Sequence, residues 1–491
     1  MVSEEKKILA LYDCRSKQEY IYRTNRVKEI IGASMLLTDL FKEFFVNNKD
    51  FKFETEWDKN PNAPENYLDY FEKSGLDGEI VYEGGGNLCI IYRNYETYIK
   101  VNQQLSKKVL EKTFGVSIIA AYTEVSGNFV EDRKKLYDEN ALRKNIGSYH
   151  TPCNTLPFTQ VDRLTYQPII EKKDNHQYTM ESKRKLKKYE DDKNNNGIIV
   201  ETEFDKMVSG KGEESLLAII YIDGNNMGDK IKKITEGAID YSSGISALRS
   251  FSKNTNNDFV DKPIKAIKKE LTRRYEAAAD NNEEKNKYLF RPIIMGGDEI
   301  NIVCNARAVP CIIEKYFETL KSEGGNSSCA GIAIFHSHSP FADTYNIAEQ
   351  CCENGKKISH RDENGGNNYI DFHFCHSGIT NTLDKIRNIQ EEKITARPYE
   401  YSKTWQEFME YGKILSALKR SDVKALGESI IKGDSYYLFE LERIKSRDKE
   451  NKLSKIYDDL KNPEKAKETK KYIFDVSIVY DLWFGKAGGN E

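Results

Sequence analysis

Apolar and polar positions along the chain fall into two successive runs of the same kind. "KKILALYD" (6–13) is a short apolar, alternating stretch and predicts a strand. In "TNRVKEIIGASMLLTDLFKEFF" (24–45), Val27, Ile30, Ile31, Met35, Leu36 and Leu40 recur at helical spacing, with Thr24 or Asn25 as the candidate cap. "EIVYEGGGNLCIIY" (79–92) reads as strand, glycine turn, strand. "NYETYIKVNQQLSKKVLEKT" (94–113) reads as a helix and "GVSIIAAYTEV" (115–125) as a strand. The predicted order is β-α-β-β-α-β.

The second half repeats that order. "SLLAIIYID" (215–223) predicts a strand, followed by a helical region from Asn225 to about Ala279. "RPIIMGGDEINIVC" (291–304) is again strand, glycine turn, strand. A helix over 306–323, despite its early proline, then a strand over 328–337, a helix over 342–358 and a strand over 368–374 complete the unit. The expected fold class is α+β, with two ferredoxin-like domains in tandem.

Between the repeats, "EDRKKLYDENALRKNI" (131–146) is helical in pattern, whereas 174–197 has almost no apolar residues and predicts a solvated loop or insertion. Its basic run "SKRKLKK" (182–188) suits either phosphate contact or, as the commoner case, a solvated face. Beyond 378 the pattern turns helical. Trp405, Phe408, Met409, Leu415 and Leu418 form one stripe, Ser421 starts a further helix and Gly433 stops it. "YIFDVSIVYDLWF" (472–484) is apolar enough to be buried. The expected division is a first repeat at 1–130, a helical and irregular linker at 131–214, a second repeat at 215–378 and a helical bundle at 379–491.

A chain of 491 residues exceeds what one core sustains, consistent with this division. The net charge of −3 gives no global sign of a nucleic-acid binder. Nine scattered cysteines form no C-x-x-C pair, which argues against a zinc ribbon or a disulfide framework and points to a reducing cytoplasm. No apolar run is long enough to span a membrane, and the start "MVSEEKKILALYD" lacks a signal peptide's apolar stretch. No G-x-x-x-x-G-K-[ST] phosphate loop occurs.

The candidate chemistry lies in the second repeat. In a β-α-β-β-α-β unit the third strand pairs with the first. Asp223, ending the first strand in "IIYIDGNN", therefore lies next to the turn that carries Asp298 and Glu299. Three carboxylates at one sheet edge repel each other unless cations neutralise them, and hard oxygen ligands suit a pair of Mg²⁺ or Mn²⁺ ions. Gly296 and Gly297 admit backbone close to a nucleotide. "GGDE" alone is equally a hairpin turn with solvated acids; "YIDGNNMGD" at the right topological place favours catalysis. His336 and His338 end a strand near this edge, and His360, His373 and His376 read as structural.

"YIDGNNMGDKI" with "MGGDEINIV" and "CAGIAIFHSHSPFADTYNIAEQCCENGKK" resembles the second palm of the large polymerase-like subunit of type III CRISPR complexes, akin to GGDEF nucleotide cyclases. "LYDCRSKQEYIYRTNRVKEIIGASMLLTDL" is similar to that family's first palm. The resemblance implies a cytoplasmic nucleotidyltransferase that makes cyclic oligoadenylate from ATP, or another NTP, in a pocket shared by both palms. It also implies RNA and CRISPR complex subunits as partners. Asp223, Asp298 and Glu299 would be catalytic and hold two ions, while Gly224, Asn225, Asn226, Gly296, Gly297 and the first palm's Gly84, Gly85 and Gly86 would line the nucleotide site. Lys356, in the lysine position of an "AE…AK" pattern begun by Ala348 and Glu349, would reach the triphosphate.

The sequence departs from the family in places. Asn225 stands where a further acid is usual, and Glu299 where the second aspartate is usual. No "HD" dipeptide occurs and the zinc motif between the palms is absent, so a stripped-down member without the HD nuclease is expected. The first palm has "EGGGN" for "MGGDE" and is expected to bind a nucleotide without reacting. Two other readings remain: a weakly catalytic or non-catalytic RNA-binding subunit, and a GTP-using GGDEF-like cyclase.

Overall fold

A computed structural model describes residues 6–24, 26–146, 156, 158–173, 176–192, 204–208, 215–278, 282–321, 325–361, 366–375, 382–390 and 394–485. Asn25 and His376 lie outside these residues. The chain groups into two compact units: Met1–Glu203 with Asn226–Lys262 and Pro292–Ile300, and Phe204–Asn225 with Pro263–Arg291 and Asn301–Glu491.

The first unit is built on β1 (Ile8–Arg15), β2 (Phe53–Glu54), β3 (Gly78–Gly84), β4 (Asn87–Tyr92) and β5 (Ser117–Glu124), in the sheet order β2-β3-β4-β1-β5. β1 pairs antiparallel with both β4 and β5, and Asp13 stands opposite Asn87. Strand alternation divides β1 between two cores. Ile8, Ala10 and Tyr12 face Leu40, Phe41, Phe44 and Phe45 of the helix Val27–Val46. Leu9 and Leu11 face Phe129 and Leu136 of the helix Phe129–Asn145, and also Tyr241, Ile245 and Leu248. Those last three sit on the helix Tyr241–Asn256, which belongs in sequence to the second repeat. Its Ser246 and Ser242 hydroxyls accept from the backbone N–H of Ala63 and Tyr67, at 2.8 and 3.0 Å. Its Arg249 pairs with Glu79 at 2.7 Å, both side chains buried.

The described residues within 174–197 differ from the solvated loop or insertion expected there. A hairpin of β6 (Glu171–Lys173) and β7 (His176–Tyr178) leads into a helix, Met180–Asp192. That helix lies so close to Val27–Val46 that a Cβ at Gly32 would stand 1.9 Å from the Lys185 carbonyl oxygen. The basic run is a solvated face only in part: Lys183 and Lys187 are exposed, but its middle lysine is not. Lys185 is buried and donates to the Tyr20 carbonyl at 2.6 Å and to Glu181 at 2.7 Å.

The second sheet contains β8 (Leu216–Gly224), β9 (Phe290–Gly296), β10 (Glu299–Asn305), β11 (Ser328–His336), β12 (Tyr369–Phe374) and β13 (Tyr399–Glu400), ordered β13-β12-β11-β8-β10-β9. Within it, β11-β8-β10-β9 repeats the β5-β1-β4-β3 order of the first sheet, so the tandem palm fold expected from sequence is present. β11 runs antiparallel to β8, with Cys329 opposite Asp223, and parallel to β12. Parallel pairing requires the crossover helix Phe341–Ser359 between them. A Cβ at Gly331 of β11 would stand 1.9 Å from the Ala348 carbonyl oxygen, so only glycine lets this helix seat.

Among the described residues beyond 382, the regular structure is helical apart from β13. Trp405 and Phe408 of the helix Thr404–Leu415 are fully buried, and Phe408 stacks on Tyr399 at 4.9 Å between ring centroids. The last helix, Pro463–Trp483, buries Asp475, which accepts from the Tyr399 hydroxyl (2.5 Å), the Thr395 hydroxyl (2.9 Å) and the Ala396 N–H (3.0 Å). Arg397 completes that site with an ion pair at 3.2 Å.

Candidate active site

The two glycine turns meet within the first unit. Gly84, Gly85 and Gly86 join β3 to β4, and Gly85 and Gly86 have φ of +61° and +85°, angles glycine adopts without strain. Gly297 (φ +65°) turns β9 into β10. A Cβ at Gly297 would lie 3.6 Å from Gly85 Cα, so the turns oppose each other backbone to backbone. They floor a cavity of about 200 Å³, whose walls include Ile21, Leu37, Phe41, Ile294 and Met295.

Glu299 opens β10 directly after this turn, and its side chain is buried. Lys17, two residues past β1, donates to its carboxylate at 2.7 Å and to the Gly85 carbonyl at 3.2 Å. Gln18 donates to the other carboxylate oxygen at 3.1 Å. One lysine thus ties the acid of the second turn to the backbone of the first. Asp298, half-buried in the turn, acts on Lys230: burial holds that ammonium below the usual lysine range, and the Asp298 charge pulls the other way.

In the second unit, Asp223 is half-buried near the end of β8. Lys356 forms an ion pair with its carboxylate and donates to the Gly224 carbonyl at 3.0 Å. Lys357, a helical step of about 100° further on, points elsewhere and donates to Asn354 at 3.3 Å. Asn225 is buried, and its amide donates to the Ser327 and Ser359 hydroxyls and the Asn367 carbonyl, each at 3.2 Å. Its side chain therefore pins the strand end. Asn226 starts the helix Met227–Glu236 with φ +56°. His336 and His338 rings lie 5.3 Å apart at the end of β11.

Among the described residues, no group of three His, Cys, Asp or Glu side chains is gathered closely enough to hold a metal ion. The donor chemistry of Asp223, Asp298 and Glu299 nevertheless suits a hard divalent cation. Each has a lysine in its field, the neutralisation that such carboxylates need when no metal supplies it. Glu299, held by both Lys17 and Gln18, is the most constrained of the three.

The first palm's counterpart is neutralised differently. Asp13 forms an ion pair with Lys144 and accepts from Asn140 at 3.3 Å, and both partners come from the helix Phe129–Asn145. Sequence reasoning missed Lys17, Gln18, Lys230 and Lys144. For Lys17 and Gln18 the one local signal was the polar "SKQ" that follows β1.

Residues 216–364 match the family described as Cas10/Cmr2, second palm domain. Curated protein sequences give no match. Among solved structures, the chain resembles a Csm1–Csm4 cassette in complex with one ATP at a TM-score of 0.53 and 15% identity, covering 99% of this chain and 70% of that one. A cassette in complex with cA3 matches at 0.52 and 15%, with the same coverages. One in complex with pppApA matches at 0.52 and 14%, again over 99% and 70%. At such identities the likeness is one of fold. Together with the palm match, it supports the Cas10-like large-subunit resemblance read from the sequence.

Proposed function

We propose that this chain, Cas10-like in its second palm and in its fold, is a metal-dependent nucleotidyltransferase that builds a cyclic oligoadenylate messenger from ATP in CRISPR-related antiviral defence. The observation that carries the reading is the apposition of Gly85 and Gly297 over one cavity, with Asp298 and Glu299 following directly. A joining reaction needs two nucleotides side by side, and a tandem repeat with opposed bare turns offers a place for each. The complexes of related folds with ATP, cA3 and pppApA support the same chemistry.

On this reading residues 1–130 hold one nucleotide and residues 215–378 carry the reaction, with 131–214 as linker and 379–491 as the helical end. Asp223, Asp298 and Glu299 would hold the divalent cations. A Mg²⁺ or Mn²⁺ pair, when bound, neutralises phosphate charge and makes a 3′-hydroxyl more acidic. The glycine turns keep side chains away from the reacting groups. The 3′-oxygen of one nucleotide bonds to the α-phosphorus of the next, pyrophosphate leaves, and the hydroxyl proton passes to solvent or a carboxylate. Lys356, on the Asp223 carboxylate, stands ready for the triphosphate oxygens. Incubation of the pure protein with each NTP and Mg²⁺ or Mn²⁺, with products identified by mass spectrometry, tests the proposal. Absence of any pyrophosphate-releasing product under all conditions would overturn it.

Two substitutions probe the roles. Lys356→Ala is expected to raise the apparent KM for NTP roughly tenfold or more, because charge-assisted bonds in a partly desolvated site are the stronger kind. Lys357→Ala is expected to leave KM alone, since its ammonium points to Asn354. Equal, small effects would assign both lysines to the helix end instead. Asp13→Ala is expected to keep turnover within about threefold, at a stability cost of roughly 1 kcal/mol, because Lys144 is half-exposed and rehydrates. A collapse of activity in folded Asp13→Ala protein would make the first palm catalytic.

A second reading rests on the matched structures being cassettes of two subunits. The chain would then work beside a partner in an RNA-guided complex, and co-purification with RNA and small subunits tests that.

A further inference from the structure

The chain turns sharply as it leaves β1. Ser16 has φ +51°, uncommon for a residue with a Cβ, and the short helix Lys17–Tyr22 starts directly after it. Just before the turn, the Cys14 N–H donates to the Gly86 carbonyl at 3.0 Å and ties the strand end to the first glycine turn. The first two residues of the short helix meet the acid of the second turn. Lys17 donates to Glu299 Oε2 at 2.7 Å and Gln18 donates to Oε1 at 3.1 Å. Both carboxylate oxygens thus accept from the first repeat, and the Glu299 side chain is only 8% exposed.

Lys17 does more than pair. It also donates to the Gly85 carbonyl at 3.2 Å, and it lines the cavity of about 200 Å³ between the glycine turns. One ammonium therefore borders the acid, the backbone of the first turn and the space open to a ligand.

Resting on the nucleotide reading above, we infer that Lys17 is the exchangeable counter-ion of Glu299: it holds the carboxylate while no divalent cation is bound, yields it when one binds, and then holds a phosphate oxygen of the nucleotide over Gly85.

The exchange follows from charge. An ammonium and a divalent cation on one carboxylate repel each other, and the divalent ion has the stronger attraction for the acid. Lysine is suited to being displaced. Its ammonium is a point charge with three donors on a flexible stem, so it can leave one acceptor and keep another. Once off Oε2, Lys17 still has the Gly85 carbonyl, and the cavity it lines is where the freed donor goes. A phosphate there restores the anionic partner that the metal has taken. Gln18 is neutral and does not compete with a cation, so it keeps Oε1 and the orientation of the carboxylate throughout. The first repeat, whose own Asp13 is committed to Lys144, in this way serves the acid of the second turn.

The test titrates the full chain with Mn²⁺ alone, follows the free ion by electron paramagnetic resonance, and assigns to the site the binding that Glu299→Gln loses. In parallel it measures binding of α,β-methylene ATP, which cannot release pyrophosphate, in saturating Mg²⁺. A cation beside a carboxylate weakens its hold on a proton about 10- to 1,000-fold, and a divalent ion meets the same opposition. The uncharged variants Lys17→Gln and Lys17→Met are therefore expected to bind Mn²⁺ roughly tenfold or more tightly than wild type. They are expected to bind the analogue roughly tenfold or more weakly, through loss of a charge-assisted bond. Lys17→Gln keeps a donor for the buried carboxylate, so it supplies a folded variant where methionine does not. Lys17→Arg keeps the charge and is expected to keep the weak Mn²⁺ binding of the wild type. A merely structural Lys17 would move both affinities in the same direction, with the melting temperature, or move neither. Mn²⁺ binding that is unchanged or weaker in the neutral variants, or analogue binding that is unchanged, would overturn the role of Lys17 alone. If the wild type binds no analogue, the nucleotide reading itself falls.

Discussion

Asp298→Ala is expected to abolish NTP turnover, by at least a hundredfold, while the protein stays folded. Removing one group that stabilises developing charge costs catalysis on the order of 10²–10³, and loss of an anionic ligand weakens metal affinity as well. Carboxylates clustered at a sheet edge repel one another, so their removal often stabilises the metal-free fold. Here that gain is expected to be small. Lys17 offsets Glu299, Lys356 offsets Asp223 and the Asp298 charge acts on Lys230, so little repulsion remains to relieve. A melting temperature within about 2 °C of wild type, with pyrophosphate release gone, is the expected pair of results. Undiminished turnover in the variant would remove Asp298 from the reaction.

Asp475→Ala is expected to be the most destabilising single change in the helical end of the chain. The carboxylate accepts from Tyr399, Thr395 and Ala396 and faces Arg397, and the side chains of both ions are fully buried. Deleting one partner leaves a buried guanidinium and a tyrosine hydroxyl without their acceptor, a loss of roughly 3–5 kcal/mol. For a unit of this size that corresponds to a drop on the order of 10 °C in its calorimetric transition. Asp475→Asn, which keeps an acceptor oxygen, should fall between. A change below about 2 °C for the alanine variant would show that the network contributes nothing net.

How much of this was legible in the sequence depends on the range of the interaction. The alternation in "KKILALYD" and the contrast of "EGGGN" with "MGGDE" are local, and they led to both sheets and to the two turns. The helix Met180–Asp192 was read as loop because its buried stripe is Glu181, Lys185 and Tyr189. Two of those three are charged, so apolar periodicity cannot find them. The Lys17–Glu299 pair spans 282 positions, and nothing near either residue encodes the other. The periodicity of Tyr241–Asn256 shows that one face must be covered, and cannot say by which sheet. Asp223, Asp298 and Glu299 stand out by residue type beside glycines; the lysines around them are revealed only by geometry.

The place of the helix Tyr241–Asn256 in the first unit has a consequence for synthesis. The sheet face formed by Leu9, Leu11 and Val81 is closed by Tyr241, Ile245 and Leu248, and the Ala63–Ser246 hydrogen bond bridges 183 positions. All five strands of that sheet have been synthesised once Glu124 has been made. At translation rates of ~5–20 residues per second, roughly ten seconds then pass before the closing helix emerges. During that interval the part of this face that Phe129 and Leu136 do not cover stands open to solvent, and the nascent chain offers a binding surface to any chaperone that recognises one. Shielding is complete only when part of the second repeat has been made, although the sheet it completes is first in sequence.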